Sequence, residues 1–209
     1  MSMYVPIDDG GGTLPVPTFQ WPLKVPSRER FLKFIDAHFH EQEMSFVEIG
    51  VLKGDFSRMI LDIICPKHLV LIDPFTTSEK SLYGNELNNL PTSYSDEKDY
   101  AEVLNRFSKE VVSGQIITSP KYSYESVSDW PDSFFDIVYH DASHKYEDIK
   151  RDLNDWLPKL KPQGLMCGHD YIEHEGFGVI QAVDEFCKEH GFEMILLNTD
   201  GGDYALKRK

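Results

Sequence analysis

Short apolar runs that alternate with helical patterns are the feature that most restricts the fold of this chain. The apolar runs lie at residues 46–49, 69–72, 115–118, 135–139, 165–167 and 192–197. Apolar positions at helical spacing lie between them, over about 56–64, 97–112, 146–157 and 179–190. Strands that alternate with helices predict an α/β fold, in which a mostly parallel sheet is covered by helices on both faces.

The C-terminal end of the chain predicts one reversed strand. The run that ends near Asn198 is followed by the turn sequence Asp200-Gly201-Gly202-Asp203 and then by Tyr204-Ala205-Leu206. Two extended runs joined by a glycine turn are typical of an antiparallel hairpin. The expected sheet is therefore seven-stranded, with an antiparallel C-terminal hairpin.

Composition changes near residue 27 and predicts the domain boundary. Residues 1–27 are rich in proline and contain the run Gly10-Gly11-Gly12, a composition that disfavours both helix and strand. We interpret 1–27 as an extended N-terminal arm or linker and 28–209 as one domain. Ser27, the last residue of the arm, is predicted to cap a helix that runs to about residue 40. The polar stretch 76–99 is long for a connection and is a candidate lid.

Charge and cysteine content exclude several classes of function. A net charge of −14 argues against a nucleic-acid partner, which requires a basic surface. The three cysteines are far apart and show no C-x-x-C spacing, which indicates a reducing compartment. No apolar run is long enough for a signal peptide or a membrane span, so we expect a soluble, cytoplasmic protein with no membrane partner.

The segment after the first long apolar run predicts a cofactor site. Glu48-Ile49-Gly50 ends the predicted strand and Gly54 precedes the next helix, so the backbone can turn tightly at the carboxyl edge of the sheet. The pattern is E-x-G-x-x-x-G and not the G-x-G-x-x-G of dinucleotide sites, and its acidic residue suits a cationic ligand such as S-adenosylmethionine (SAM). Asp73 ends the next strand and is the candidate ribose ligand. The alternative for either glycine is an ordinary turn.

Two later segments carry a resemblance to a known family. The stretch from Phe135 through His140-Asp141-Ala142-Ser143-His144 to Gly164, with Gly168-His169-Asp170-Tyr171, resembles class I SAM-dependent methyltransferases. It is most similar to the branch of small-molecule O-methyltransferases that includes sugar and catechol enzymes. The likeness covers about residues 46–171 and implies a Rossmann-like fold with SAM as cofactor.

The resemblance also implies a metal site and a base. In that branch a divalent metal is held by residues that map onto Asp141, His169 and Asp170, and two carboxylates with an imidazole are reasonable ligands for magnesium or manganese. His144 stands where catechol-type relatives have a catalytic lysine, and a histidine can accept a hydroxyl proton near neutral pH. His144 could instead cap the following helix or bind the metal, and the site could be metal-free.

The same resemblance places the adenine ring near the loop that follows residues 115–118. Tyr122 and Ser123 are therefore candidates for stacking on the adenine and hydrogen bonding to it, and the alternative for Ser123 is helix capping.

Three functions are compatible with these residues. The first is O-methylation of a hydroxyl on a sugar, glycan or other polar small molecule, with Asp141 and His144 as catalytic residues; the polar lid favours it. The second is N-methylation, or another metal-independent reaction, on the same scaffold. The third is a SAM-binding module without catalysis, attached to a larger protein. The sequence leaves open whether the chain forms a homodimer or carries further domains.

Overall fold

The computed structural model describes residues 22–39, 43–76 and 97–209. Residues 1–21 of the predicted arm and 77–96 of the predicted lid lie outside this description. The strands are β1 (Leu23–Val25), β2 (Ser45–Ile49), β3 (His68–Ile72), β4 (Ile116–Ser119), β5 (Phe135–His140), β6 (Leu160–Gly168), β7 (Phe192–Asn198) and β8 (Tyr204–Arg208). The helices are α1 (Arg28–His38), α2 (Asp55–Ile63), α3 (Glu97–Arg106), α4 (Ser108–Ser113), α5 (Ser123–Ser126), α6 (Tyr146–Trp156) and α7 (Val179–His190).

The described strands form one sheet of eight, in the order β1-β7-β8-β6-β5-β2-β3-β4. Only β8 runs against its neighbours, β6 and β7, and every other pair of neighbouring strands is parallel. The predicted α/β class with an antiparallel C-terminal hairpin is confirmed. From β2 the chain moves outward through β3 to β4 and then returns to the other side of β2 at β5. A switch point of this kind opens a crevice at the carboxyl ends of β2 and β5, where ligands bind in open α/β sheets.

Each face of the sheet carries its own core. Alternate residues of β2 and β5 point to opposite faces, as Phe46 and Val47 do. One core packs the sheet against α1 to α4, and the other packs it against α6 and α7. Every residue of β2 and β5 is buried, as expected for central strands of a parallel sheet.

The first strand corrects the interpretation of the N-terminal arm. The composition of residues 1–27 predicts neither helix nor strand, yet Leu23–Val25 form β1 and pair in parallel with β7. Pro22 and Pro26 flank these residues and do not interrupt them, and edge strands tolerate proline at their ends. The sheet therefore has one strand more than the seven predicted. The prediction that Ser27 caps the next helix is confirmed, since its Oγ accepts from Arg30 N at 3.3 Å.

The predicted helix over 97–112 is also wrong in one respect, because it is two helices that meet at Phe107. Phe107 has non-helical dihedral angles (φ −109°, ψ 24°) and is fully buried. Its ring lies directly below Gly54, where an added Cβ would come within 2.7 Å of it. The break thus places a large side chain beneath the glycine loop.

Within the described residues, no helix is both long enough and apolar enough to cross a lipid bilayer.

Candidate active site

The glycine loop is built by a close approach of two strand ends. Gly50 has a φ of +92°, and a Cβ at this position would lie 2.1 Å from the backbone oxygen of Asp141. The amide of Asp141 donates to Ile49 O at 2.7 Å, and that of Gly50 donates to Ile72 O at 2.8 Å. Only glycine combines this conformation with this contact. The loop after β2 is therefore fixed against the end of β5.

Asp73 holds the glycine loop from the other side. Its Oδ2 accepts from the amides of Val51 and Leu52 at 2.9 and 3.0 Å, and its Oδ1 accepts from Phe75 N at 2.8 Å. These bonds support the loop at Leu52, whose φ is +52°. Asp73 was predicted as a ribose ligand, and the structure places it at the carboxyl end of β3 beside the loop. Its three backbone contacts also make it a support for the loop itself.

Glu48 lies beneath the glycine loop and is only 1% exposed. Its Oε2 accepts from the Ser57 hydroxyl of α2 at 2.5 Å. Burial raises the pKa of Glu48 to about 8, with only a partial lowering by the hydrogen bond from Ser57. Near neutral pH this side chain is therefore mostly protonated in the ligand-free protein.

Four side chains that sequence and resemblance marked out meet at the ends of β5 and β6. His144 Nε2 lies 2.7 Å from Asp170 Oδ2, and His169 Nδ1 lies 3.0 Å from the same oxygen. His169 Nδ1 is also 3.6 Å from Asp141 Oδ1. With His140, Ser143, Ile149, Val179 and Tyr204, these residues line one pocket. The three residues that the resemblance implies as metal ligands, Asp141, His169 and Asp170, are thus close together in the structure.

Burial, hydrogen bonds and neighbouring charges shift the pKa values of Asp170, His169 and Asp141. Burial would raise the pKa of Asp170, but the hydrogen bonds from His144 and His169 outweigh it, and the pKa lies well below its ordinary value. Burial would lower the pKa of His169, but the bond to Asp170 and the charge of Asp141 raise it above its ordinary value. The pKa of Asp141 is raised, mainly by burial, although the charges of His169 and Arg28 act against this.

His144 is held in one orientation by the loop that follows β6. Its ring stacks on Phe177 at 4.3 Å with an angle of 7° between the planes, and its backbone oxygen accepts from Gly178 N at 2.8 Å. A Cβ on Gly178 would come within 2.4 Å of Tyr146, so this loop packs closely against the start of α6. With Nε2 directed at Asp170, a proton on Nε2 leaves Nδ1 as an acceptor, an assignment that follows from the hydrogen-bond pattern.

The donor set also fits a divalent cation. Three possible ligand atoms lie within 4.8 Å of one another, one each from Asp141, His144 and Asp170. This spacing is close to that of ligand atoms around one metal ion. The set predicted from resemblance contains His169 in place of His144, and His169 also contacts both carboxylates. The choice between the two ligand sets decides the role of His144, because a histidine nitrogen bound to a metal cannot accept a proton.

The Arg28 side chain is part of the site and was missed by sequence reasoning. It donates from one terminal nitrogen to Asp141 Oδ2 at 2.9 Å and to Tyr139 Oη at 3.2 Å. Its Nε donates to Asp203 Oδ1 at 3.0 Å. The sequence does contain one signal for a role of Arg28. Arg28 is the first residue of α1, where the helix dipole disfavours a cation, so an arginine there indicates an anionic partner.

Tyr122 and Ser123 lie at the end of β4, as the resemblance implied. The Ser123 hydroxyl accepts from Trp156 Nε1 at 2.7 Å and is buried. Tyr122 is the N-cap residue of α5 and Ser123 is its first residue, so the alternative that Ser123 caps the helix is wrong. The Tyr122 ring stacks on Tyr124 at 5.5 Å.

A comparison with known protein families agrees with this arrangement. Residues 47–171 match the model of a family described as a methyltransferase domain. The chain belongs to this family. The matched residues include the glycine loop, Asp73 and the four side chains at the ends of β5 and β6. Membership supports SAM as the methyl donor of this methyltransferase domain.

Solved structures with the same fold include methyltransferases. The chain superposes on a protein of Corynebacterium glutamicum with a TM-score of 0.62 at 13% identity, over 88% of this chain and 82% of that one. A candidate caffeoyl-CoA O-methyltransferase of Staphylococcus aureus gives 0.61 at 16% identity, over 88% and 85%. An O-methyltransferase of Bacillus cereus in complex with S-adenosylhomocysteine (SAH) gives a TM-score of 0.57 at 13% identity, over 87% of this chain and 80% of that one. At these identities the likeness shows the fold.

One curated relative is similar over a short segment. It is an uncharacterized protein of Sinorhizobium fredii, 40% identical over 58 residues, which are 27% of this chain and 6% of that protein. The chain thus aligns with a small part of a much longer relative.

Proposed function

We propose that this methyltransferase domain transfers the methyl group of SAM to a hydroxyl of a sugar or other polar small molecule. The observation that carries the proposal is the pair of His144 and Asp170, which lies at the carboxyl edge of the sheet beside the glycine loop. A carboxylate bonded to one imidazole nitrogen fixes the tautomer and makes the other nitrogen a base. A hydroxyl acceptor needs such a base, because it is a poor nucleophile until it loses its proton.

The proposed reaction is a direct displacement. His144 accepts the hydroxyl proton as the acceptor oxygen attacks the methyl carbon. The bond from carbon to sulfur breaks, sulfur keeps the electron pair, and the products are the methyl ether and neutral S-adenosylhomocysteine (SAH). The chain's part is to align oxygen, carbon and sulfur and to hold the proton, and alignment of this kind supplies much of the rate enhancement.

We further propose that SAM lies over the glycine loop. Gly50 and Gly54 let the backbone approach the ligand, Asp73 binds the ribose, and Tyr122 and Ser123 flank the adenine. Glu48 is the acidic residue proposed for the cationic end of SAM, and a bound ammonium group would favour its ionised form. The hydroxyl of Ser123 accepts from Trp156 Nε1, which leaves its own proton to donate to an adenine nitrogen.

A divalent metal is the second part of the proposal. Magnesium or manganese on Asp141, His169 and Asp170 would lower the pKa of the acceptor hydroxyl and leave His144 free to accept its proton. The same ion on Asp141, His144 and Asp170 would remove His144 as a base. The two arrangements predict different consequences when His144 is replaced.

The test is SAH formation against a panel of sugars, sugar nucleotides and catechols. Each assay is run with EDTA, and again after magnesium or manganese is restored. Acceptor-dependent SAH formation supports the transferase, and recovery with metal supports its metal assistance. Activity that EDTA leaves unchanged would remove the metal from the proposal. SAH binding without turnover on any acceptor would favour the non-catalytic module.

The variant His144→Asn tests the base, and His174→Asn is its matched control. His174 is an exposed histidine of the adjacent loop, and its ring also contacts Phe177, at 4.5 Å. We expect His144→Asn to lower kcat by about 10²-fold or more, the usual contribution of a general base, with SAH affinity unchanged. His174→Asn should keep most of the activity. Equal losses in both variants would contradict the assignment, and a loss of metal affinity in His144→Asn alone would identify His144 as a ligand.

A further inference from the structure

Arg28 connects three distant parts of the chain at the edge of the candidate active site. Its hydrogen-bond partners are 111, 113 and 175 residues away in sequence. They lie in β5, directly after β5, and directly before β8. One guanidinium group therefore links the start of α1 to the end of a central strand and to the C-terminal hairpin.

Asp203 gives this group a rigid attachment. Its carboxylate is fully buried and accepts from the Tyr139 hydroxyl, from Arg28 and from Asn198 Nδ2, the last at 2.6 Å. The backbone of Asn198 also donates to Asp203 O at 2.7 Å. A buried carboxylate with this many partners has little freedom to move.

The guanidinium is also held from its face. Its central carbon lies 4.5 Å from the centre of the Phe56 ring, a cation–π geometry. Burial would lower the pKa of Arg28, but Tyr139, Asp141 and Asp203 together raise it above its ordinary value, so the group stays charged. Asp203 and Phe56 thus hold the Arg28 guanidinium in place independently of its bond to Asp141.

Asp141 is the member of the site that Arg28 orients. Oδ2 is bonded to Arg28, which leaves Oδ1 turned toward His169. Without the guanidinium, the Asp141 side chain could rotate, and its charge would face Asp170 with less compensation. We propose that Arg28 is a positioning residue, which fixes the Asp141 carboxylate in the orientation that the methyl transfer requires. This inference rests on the proposed function for its effect on turnover.

The test must separate positioning from folding. Arg28→Met alone leaves the buried Asp203 carboxylate without its cation and is expected to destabilise the protein. The double variant Arg28→Met/Asp203→Asn also removes the fully buried Asp203 charge, while Asp141 loses Arg28 and keeps His169 as its cationic neighbour. Arg28→Lys keeps the charge, but it can make only part of the forked contact. Arg30→Met is the matched control, because Arg30 is an exposed arginine of the same helix.

The measurements are kcat, KM for the acceptor, SAH affinity by calorimetry and the melting temperature. We expect the double variant to bind SAH within about threefold of Asp203→Asn and to have a kcat at least about tenfold lower. Arg28→Lys should restore part of that kcat, and Arg30→Met should match the parent protein. In a cycle with Asp141→Asn, the losses in kcat should be less than multiplicative, because both changes remove the same element.

Opposite results have separate meanings. A double variant with the kcat of Asp203→Asn would overturn the positioning role and leave Arg28 as a purely structural ion pair. If the parent protein shows no turnover with any acceptor, the proposed function fails. The part of the inference that then stays testable is that Arg28 holds the Asp141 carboxylate: coupled melting-temperature shifts of Arg28→Met and Asp141→Asn support this contact, and additive shifts would overturn it.

Discussion

Glu48 should make the stability of this protein fall as the pH rises through neutrality. Its pKa is raised from 4.5 to about 8 in the folded protein, so the folded chain keeps a proton that the unfolded chain releases. The stability that this proton contributes is complete below pH 4.5 and is lost as the pH approaches 8. A gap of about 3.5 pH units at about 1.4 kcal/mol per unit corresponds to roughly 5 kcal/mol. That is a large share of the stability of an ordinary domain.

The variant Glu48→Gln removes this dependence. Glutamine keeps an oxygen that can accept from Ser57, and it resembles the protonated acid in shape and charge. We expect the variant and the parent protein to differ by less than about 1 kcal/mol at pH 5, and the variant to be several kcal/mol more stable at pH 9. The assay is urea unfolding of the ligand-free protein at pH 5, 7 and 9, followed by tryptophan fluorescence.

Glu102→Gln is the control, because Glu102 is an exposed residue of α3 and its replacement should leave the pH dependence unchanged. A stability difference between Glu48→Gln and the parent protein that is the same at pH 5 and pH 9 would refute the reasoning. It would mean that Glu48 ionises normally despite its burial.

Three further predictions concern the loops of the site. Gly50→Ala should destabilise the protein by more than about 2 kcal/mol in urea unfolding, because its Cβ would overlap the Asp141 backbone; Gly114→Ala, at φ +79° with open space around it, should cost about 1 kcal/mol. Asp73→Asn should weaken SAH binding by about tenfold or more in calorimetry, because the side-chain amide has one acceptor oxygen and cannot accept both from the loop amides and from Phe75 N, as the carboxylate does; unchanged affinity would contradict this. Phe177→Leu should lower kcat by about tenfold and leave SAH affinity unchanged, since it removes the ring that holds His144; equal changes in both quantities would point to a general loss of structure.

Local patterns were sufficient for seven of the eight described strands and for one side of the site. The E-x-G-x-x-x-G segment and the acidic residue after β3 are adjacent to apolar strands, and the topology of a parallel sheet brings such strand ends together. The family resemblance added Asp141, His169 and Asp170, which follow β5 and β6 in the same way. These residues could be predicted because each follows directly from a strand that sequence periodicity identifies.

Arg28 and β1 could not be predicted in this way, since both depend on partners far away in sequence. Leu23–Val25 form a strand only because β7 provides an edge for them, and their flanking prolines argue against a strand when they are considered alone. The orientation of Asp141 depends on Arg28, and the loop contacts of Asp73 depend on a tertiary turn. The break at Phe107 likewise depends on a tertiary contact, because the Phe107 ring packs against Gly54. The helical pattern of the sequence does not show this contact.

The pairing of Arg28 with Asp203 sets the order in which the site can form during synthesis. The two residues are 175 positions apart, and β1 pairs with β7 near the other end of the described chain. Contacts of such long range form late, because a large loop must close before they can stabilise anything. The glycine loop and the ends of β2, β3 and β5 can be in place while the C-terminal hairpin is still within the ribosome. A nascent chain should therefore acquire cofactor affinity before it acquires a correctly oriented Asp141, and catalytic competence would appear only after β8 has emerged.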